Sequence, residues 1–226
     1  MTKDTSPEKL RKFLESDDLA LVRMGISLAK GAGIEVTIKD LGRFLKSDSI
    51  ETIKTGVVLA DEAGIGDEAI EMLCKPLEDK DEWVRFYAVG TLGDIGDIRA
   101  VEPLIRVIGG KSVQHWGSLS EDHDYFEGDT SKKVCKAAMI SLGKIGDARA
   151  VESLIKVLGN DHASEDFVKV ATEALGKIGE PAVEPLIKVF GDDNEMLHWN
   201  AMRALGSIGD ARAVESLIKV LENDDG

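Results

Sequence analysis

The stretch from Gly146 to Leu158 reads GDARAVESLIKVL, and the same thirteen residues recur letter for letter from Gly209 to Leu221. An identical internal copy of this length indicates that the chain is built from repeats of one structural unit. A shorter pattern, Leu-Gly-x-Ile-Gly, leads into both copies and occurs four times in all. Its final glycines are Gly96, Gly146, Gly179 and Gly209.

The spacing of these glycines defines the array. Two more divergent copies end at Gly33 and Gly64, so the six terminal glycines are separated by 31, 32, 50, 33 and 30 residues. One long interval among regular ones predicts an insertion after the third repeat. We expect repeats at approximately 17–47, 48–79, 80–109, 130–159, 163–191 and 193–223, with an inserted loop at 110–129.

Each repeat is predicted to form a helical hairpin. In the third repeat, Val84, Ala88 and Leu92 recur at helical spacing, and Gly96 can end this first helix in the left-handed conformation. A second helix follows, in which apolar residues from Val101 to Ile108 occur at i, i+3, i+4 and i+7. The same two patterns recur along the array, so every repeat is expected to contain a first and a second helix.

One position of the first helix holds only glycine or alanine. The six copies are Gly25, Gly56, Ala88, Ala138, Ala171 and Ala201. A side chain that stays small in every copy predicts close approach between helices. Because one hairpin cannot bury its apolar face alone, the hairpins must stack, and Pro7 to Glu15 is expected to cap the first one as a lone helix. We therefore predict a single all-α domain, residues 1–226, forming an α-solenoid (superhelix) of about six hairpins and roughly thirteen helices.

The repeat has a family likeness. Its consensus, V-R-x-x-A-x-x-x-L-G-x-I-G-D-x-R-A-V-x-x-L-I, resembles the short HEAT-like repeat named after phycobilisome (bilin) lyases, most closely from Asp81 to Leu221. The resemblance implies an α-solenoid and does not by itself imply a function. The family's first-helix arginine is kept only at Arg85, which argues against a regular Arg–Asp ladder along the stack. The other copies have Val22, Ile53, Cys135, Val168 and His198 at this position.

Composition and charge exclude several classes of protein. Hydrophobic residues make up 43% of the 226, enough for a sizeable core, but no run of 18 apolar residues exists, so we expect no membrane span. The net charge of −14, with 28 Lys and Arg against 42 Asp and Glu, argues against a nucleic-acid partner. The two cysteines give neither a disulfide scaffold nor a metal motif, and Met1 to Leu10 has no apolar signal core. We expect an acidic cytoplasmic protein.

The inserted loop at 110–129 is the first candidate site, because solenoids present binding loops at such insertions. Its candidate partner-binding residues are His115, Trp116, Tyr125 and Phe126. Its weak candidates for metal ligands are His115, Asp122, His123 and Asp124. The EF-hand pattern fails, since Gly128 comes one position late and Lys133 stands where the closing glutamate belongs. We therefore expect a partner-binding loop and no bound metal.

Two aromatic residues occupy a column that otherwise holds cations. Two residues before the small column, the other four copies have Arg23, Lys54, Lys136 and Lys169. Long cations indicate that the column faces solvent, so Phe86 and Trp199 at this position are candidate binding anchors, with Trp83 beside Phe86. The alternative is that each ring packs against a neighbouring cationic stem or the inserted loop.

Charge on the second helices allows two interpretations. Five of these helices carry Glu followed four residues later by Lys or Arg, a spacing that favours ion pairs within a helix. The pairs are Glu71–Lys75, Glu102–Arg106, Glu152–Lys156, Glu184–Lys188 and Glu215–Lys219. They form either a solvated face of internal ion pairs or a charge-patterned docking surface.

The last apolar stripe, Val214 to Leu221, matches interior copies, so end-to-end self-association is a further hypothesis.

The sequence contains no recognisable set of catalytic residues. Cys74 and Cys135 lack a nearby histidine with an orienting acid, and none of the four histidines is followed by glutamate, as an iron hydroxylase built from such repeats would need. We predict a non-enzymatic scaffold or adaptor that binds another protein through the solenoid surface and the 110–129 loop, with no cofactor. The alternative, from the resemblance alone, is a bilin-lyase-like protein that handles a chromophore or another small molecule.

Overall fold

The computed structural model describes residues 7–109, 127–161, 163–191, 193–214 and 218. All regular structure in these ranges is helical, with no β-strand. The chain divides into two compact units, Met1–Lys75 and Pro76–Gly226.

The first unit contains two hairpins preceded by a single helix. Its helices are α1 (Pro7–Leu14), α2 (Leu19–Gly31), α3 (Gly42–Leu45), α4 (Ile50–Ala63) and α5 (Gly66–Cys74). Helix α1 packs against α2 and buries Leu10 and Leu14. The predicted N-terminal capping helix is thus confirmed, and it covers the apolar side of the first repeat.

The second unit has the same pattern of first and second helices. Its helices are α6 (Glu82–Ile95), α7 (Val101–Gly109), α8 (Glu127–Ile145), α9 (Val151–Leu158), α10 (Glu165–Ile178), α11 (Val183–Lys188) and α12 (Glu195–Ile208). The first helices α6, α8, α10 and α12 contact one another in chain order, and α7, α9 and α11 do the same. This arrangement is that of an α-solenoid, as predicted. Helix α8 begins at Glu127, inside the segment expected to be an inserted loop.

Successive first helices approach each other at the glycine of the Leu-Gly motif. A Cβ atom added to Gly143 of α8 would lie 2.8 Å from the Cα atom of Ala174 on α10, and one added to Gly93 of α6 would lie 2.8 Å from the Cα of Ser141 on α8. Ser141 is buried and donates a 2.9 Å hydrogen bond from Oγ to the carbonyl oxygen of Val89. The glycine therefore allows nearly direct backbone contact between neighbouring repeats.

The small Gly/Ala column packs elsewhere, against the preceding second-type helix. In the first unit, a Cβ atom on Gly25 would lie 2.8 Å from the Cβ of Phe13, and one on Gly56 would lie 2.8 Å from the Cβ of Phe44. The alanine copies of the column are buried as well. They are Ala88, Ala138, Ala171 and Ala201. The close approach predicted from this column is confirmed.

The turn between the two helices carries Arg–Asp pairs that the sequence argument did not anticipate. The pairs are Asp97–Arg99, Asp147–Arg149 and Asp210–Arg212. Each carboxylate accepts the arginine's backbone N–H at 2.9 Å, and the hydrogen bond from the arginine side chain lowers the carboxyl pKa, that of Asp210 to about 2.

These turn arginines also connect neighbouring repeats. Arg149 donates from Nη2 to the carbonyl oxygen of Ile98 at 2.8 Å, and Arg212 donates to Oε1 of Glu180 at 3.1 Å. The loss of the first-helix arginine therefore does not prevent Arg–Asp pairing in the turn. A different arginine of the same repeat, in the Gly-Asp-x-Arg turn, forms the pairs and reaches the preceding repeat.

Two glycines at the same repeat position make a matched test of the close approach. Gly143→Ala places a methyl group against Ala174 and should lower the free energy of unfolding by about 1–3 kcal/mol. No atom of the described residues lies within 4 Å of a Cβ added to Gly206, so Gly206→Ala in the last turn of α12 should raise this free energy by about 0.5–1 kcal/mol. Urea unfolding followed by circular dichroism measures both. A Gly143→Ala protein at least as stable as the parent chain would contradict the packing.

Candidate functional site

Three aromatic side chains share one face of α6. Trp83, Phe86 and Tyr87 occur at i, i+3 and i+4, so their rings are neighbours on the helix surface. The ring centroid of Phe86 lies 6.0 Å from that of Trp83, with an interplanar angle of 80°. It lies 5.8 Å from the ring centroid of Tyr87, with an interplanar angle of 76°. Trp83 and Tyr87 are 6.5 Å apart. The two contacts of Phe86 are of the edge-to-face kind that aromatic rings prefer, whereas the rings of Trp83 and Tyr87 are tilted by 35°. We call the three residues the α6 aromatic cluster.

The cluster places two large rings in solvent. Trp83 is 53% exposed and Tyr87 is 67% exposed. Phe86, expected to point into solvent like the cations in its column, is half-buried, because it has ring contacts with Trp83 and Tyr87. Tyr87 was not among the residues predicted from the sequence to bind a partner. Its position four residues after Trp83 was the available clue, since that spacing puts both rings on one helix face.

The start of α6 is fixed by hydrogen bonds of its own turn. Asp81 caps the helix by accepting the backbone N–H of Trp83 at 2.8 Å, and Asp79 accepts the N–H of Asp81 at 2.9 Å. Arg85 donates to the carbonyl oxygen of Asp79 at 2.6 Å and pairs with Glu82 at 3.1 Å. The aromatic cluster therefore projects from a well-anchored first turn rather than from a loose helix end.

Trp199 forms a separate exposed patch on α12. It is 69% exposed, and Met196, one turn earlier, is 46% exposed. The next residue back from Trp199 is His198, whose ring lies 5.6 Å from that of Phe190. Helices α8 and α10 lie between α6 and α12 in the order of packing, so the structure does not bring Trp199 together with the α6 aromatic cluster.

The candidates of the inserted segment lie outside the described residues. This applies to His115, Trp116, Tyr125 and Phe126 as partner contacts and to Asp122, His123 and Asp124 as metal ligands. Within the described ranges, no group of three or more His, Cys, Asp or Glu side chains could hold a metal ion. In the same ranges, no helix has the length and apolar character needed to cross a membrane.

Two ion pairs of α8 join different repeats. Lys144 of α8 pairs with Asp94 of α6 at 2.6 Å, and Lys136 of α8 pairs with Asp166 of α10 at 2.9 Å. The predicted second-helix pairs behave differently. Where both partners are described, the structure shows no internal ion pair at Glu71–Lys75, Glu102–Arg106, Glu152–Lys156 or Glu184–Lys188. These side chains are exposed, so their charges are available to a docking partner.

A groove of about 340 Å³ opens between the second helices α7 and α9. Ile105, Ile108 and Val157 provide apolar walls, and Lys156 and Asn160 add polar groups. Its volume is at the lower end of the range for small-molecule sites, and its mixture of apolar walls with few polar groups is typical of them.

The last described residues of the chain are apolar and exposed. Val214 is 54% exposed and Ile218 is 48% exposed, whereas most of the predicted last helix lies outside the described residues. End-to-end self-association therefore stays a prediction.

Comparison with known proteins identifies the repeat. Residues 84–109 and 134–160 match the family model of the PBS lyase HEAT-like repeat, and residues 161–226 match a model of HEAT repeats. The chain contains HEAT repeats, of the PBS lyase HEAT-like type in residues 84–109 and 134–160. In this HEAT-repeat protein, α6 with α7 and α8 with α9 are the hairpins that contain the two matched PBS lyase segments.

Solved structures resemble this HEAT-repeat protein at low sequence identity. The complex of CpcE and CpcF of phycocyanin lyase from Nostoc sp. PCC7120 is 22% identical with a TM-score of 0.39, over 93% of this chain and 80% of that one. An engineered protein is 24% identical with a TM-score of 0.32, over 89% of this chain and 96% of that one. A search of curated proteins finds no match.

Cys135 of the HEAT-repeat protein is not placed as a nucleophile. Cys135, in the column of the family arginine, is 2% exposed, and its Sγ lies 3.8 Å from the carbonyl oxygen of Val107. Burial raises the pKa of the Cys135 thiol to about 11, so the thiol stays protonated near neutral pH. Cys74 is half-buried.

The buried thiol gives a labelling prediction. In a Cys74→Ala variant at pH 8, native Cys135 should react with a thiol reagent at least about 100-fold more slowly than in urea, because it is buried and carries little thiolate. The raised pKa also means that its contribution to stability is full below the unfolded thiol's pKa and is lost as the pH rises towards 11. A Cys135→Ala variant, reporting Cys74 alone, is the control. Equal rates in native and unfolded Cys74→Ala protein would contradict the burial.

Proposed function

We propose that the HEAT-repeat protein is a non-enzymatic scaffold that binds another protein, with the α6 aromatic cluster as a principal contact. The observation that carries this proposal is the exposure of Trp83 and Tyr87 on one helix face, backed by the half-buried Phe86. Large aromatic side chains are enriched among the residues that dominate binding energy at protein interfaces. Rings held in place on a capped helix also lose little freedom on binding.

The repeat supplies an internal comparison that favours a binding role. At the position of Phe86, α8 has the half-buried Lys136, which pairs with Asp166, and α10 has the exposed Lys169. Helix α6 departs from this pattern with three neighbouring aromatics. Stability does not account for the exposed rings, because a solvent-facing Trp or Tyr buries less apolar surface than a core residue does. A surface that a partner covers accounts for them.

Two other parts of the chain are proposed as secondary contacts. The exposed Trp199 and Met196 on α12 offer a second apolar patch. The inserted segment at 110–129 stays a proposed binding element from its sequence, since most of it lies outside the described residues. The exposed charges of the second helices would add specificity rather than most of the affinity.

The experiment is a comparison of proteins retained from a native lysate by immobilised chains, quantified by mass spectrometry. A Trp83→Ala/Tyr87→Ala variant should retain its specific partner about 30-fold less well, the loss typical of two anchor residues. Trp199→Ala is the comparison variant and should reduce retention less, because it removes only the proposed secondary contact on α12. Circular dichroism should show both variants fully helical, since neither substitution removes a buried side chain.

Two outcomes would count against this assignment. If Trp83→Ala/Tyr87→Ala retains every partner at the level of the parent chain, the α6 aromatic cluster is not a contact. If Trp199→Ala alone abolishes retention, the principal contact is on α12.

A second candidate function is the handling of a small molecule, and the groove between α7 and α9 is the observation that favours it. The matched family is named for lyases of the phycobilisome, so an open-chain tetrapyrrole is the ligand class to test. Ser153 lines the groove and is half-buried, so Ser153→Phe should fill part of it.

The groove hypothesis predicts that a bilin added to the parent chain shifts the bilin's absorbance spectrum, and that Ser153→Phe weakens binding at least about tenfold by steric exclusion. Spectrophotometric titration measures both. Absence of a shift with the parent chain, or an equal shift with Ser153→Phe, would remove the groove from consideration. The Trp83→Ala/Tyr87→Ala variant is the control and should titrate like the parent.

A further inference from the structure

The α6 aromatic cluster borders a group of carboxylates. Glu78, Asp79 and Asp81, immediately before the helix, are all exposed. Asp79 and Asp81 each use one carboxylate oxygen to cap a backbone N–H group. The second oxygen of each side chain can accept further hydrogen bonds. Two exposed rings therefore lie next to a negatively charged turn.

The nearest cation of the same segment is already engaged. Arg85 donates to the carbonyl oxygens of Asp79 and Lys80 and pairs with Glu82, so its guanidinium is held in the turn and does not stack on the rings. Lys80 is exposed and partly offsets the local negative charge. The segment from Glu78 to Arg85 contains four carboxylates and two cations, and one of these cations is Arg85.

Most lysines near the start of the neighbouring helix α8 already have contacts of their own. Lys136 of α8 pairs with Asp166 and also lies 5.3 Å from the ring centroid of Phe167. Lys133 has a partner of its own, and Lys132 is half-buried. Within the described residues, the cation–π contacts are those of Arg43 with Phe44 and Lys136 with Phe167. The rings of the α6 aromatic cluster thus have no cation over them in the part of the chain that the structure describes.

We propose that the α6 aromatic cluster, together with the carboxylates of Glu78, Asp79 and Asp81, binds an arginine-presenting segment of a partner protein. The inference rests on the proposed function of the cluster and specifies the partner's chemistry. A guanidinium stacks on Trp or Tyr faces and forms bidentate hydrogen bonds to carboxylates, so one side chain uses both features of this surface. The net charge of −14 attracts a basic segment at long range.

The test uses a synthetic hexapeptide in which arginine alternates with glycine, and the same peptide with citrulline in place of arginine. Citrulline keeps the shape of the side chain and removes its charge. Isothermal titration calorimetry at low salt should show binding of the arginine peptide that is at least about tenfold tighter than binding of the citrulline peptide. A Trp116→Phe/Trp199→Phe background leaves Trp83 as the only tryptophan, and its fluorescence should change on addition of the arginine peptide.

Two sets of variants separate the rings from the charges. Trp83→Ala/Tyr87→Ala should weaken the arginine peptide about tenfold. Asp79→Asn/Asp81→Asn should weaken it several-fold at low salt and less at high salt, because asparagine preserves both capping hydrogen bonds while removing the charge. Val58→Ala, at an exposed residue of α4 that has no part in the proposed contacts, should bind like the parent chain.

The outcomes distinguish this inference from the function on which it rests. Equal binding of the arginine and citrulline peptides, binding unaffected by Trp83→Ala/Tyr87→Ala, or no binding of the arginine peptide would each overturn the arginine specificity. If partner capture from lysate still depends on Trp83 and Tyr87 in that case, the cluster remains a protein-binding surface for a partner of different chemistry. If capture is independent of both residues, the proposed function fails as well.

Discussion

The close approach of successive first helices at the Leu-Gly glycine is the constraint on which the second unit depends. Gly93 and Gly143 leave room for the backbone or a small side chain of the next helix, and Ser141 adds a buried hydrogen bond across the first of these contacts. Backbone contact of this kind fixes the distance between neighbouring helices closely. Equivalent residues of successive repeats therefore lie at defined positions on neighbouring helices, and a single substitution changes the surface at a defined place.

The α6 aromatic cluster is such a change. Its column neighbours Lys136 and Lys169 keep the outer face of α8 and α10 polar, whereas α6 presents Trp83 and Tyr87. The cap at Asp81 and the engagement of Arg85 hold the first turn of α6, so the rings project from a defined backbone. A regular scaffold with one aromatic interruption is well suited to recognition, because the repeats supply rigidity and the interruption supplies the contact.

The periodic features of this protein were predictable from its sequence, and the features that depend on neighbouring side chains were not. The spacing of apolar residues and glycines in the repeats predicts the helical hairpins, the small Gly/Ala column and the capping helix α1. The half-burial of Phe86 depends on contacts with Trp83 and Tyr87, and the column alone does not contain that information. The Arg–Asp pairs were not predicted, because they involve Arg149 and Arg212 of the turn and not the first-helix position of Arg85.

Site-specific photo-crosslinking tests most directly whether another protein binds at the α6 aromatic cluster. A benzophenone amino acid replaces Tyr87, which is 67% exposed, or Lys169, an exposed residue of α10, in otherwise unchanged chains. Irradiation in cells should yield a discrete adduct with another protein from position 87 and none from position 169. A folded chain that gives no adduct from position 87 above the level at position 169 would contradict the account.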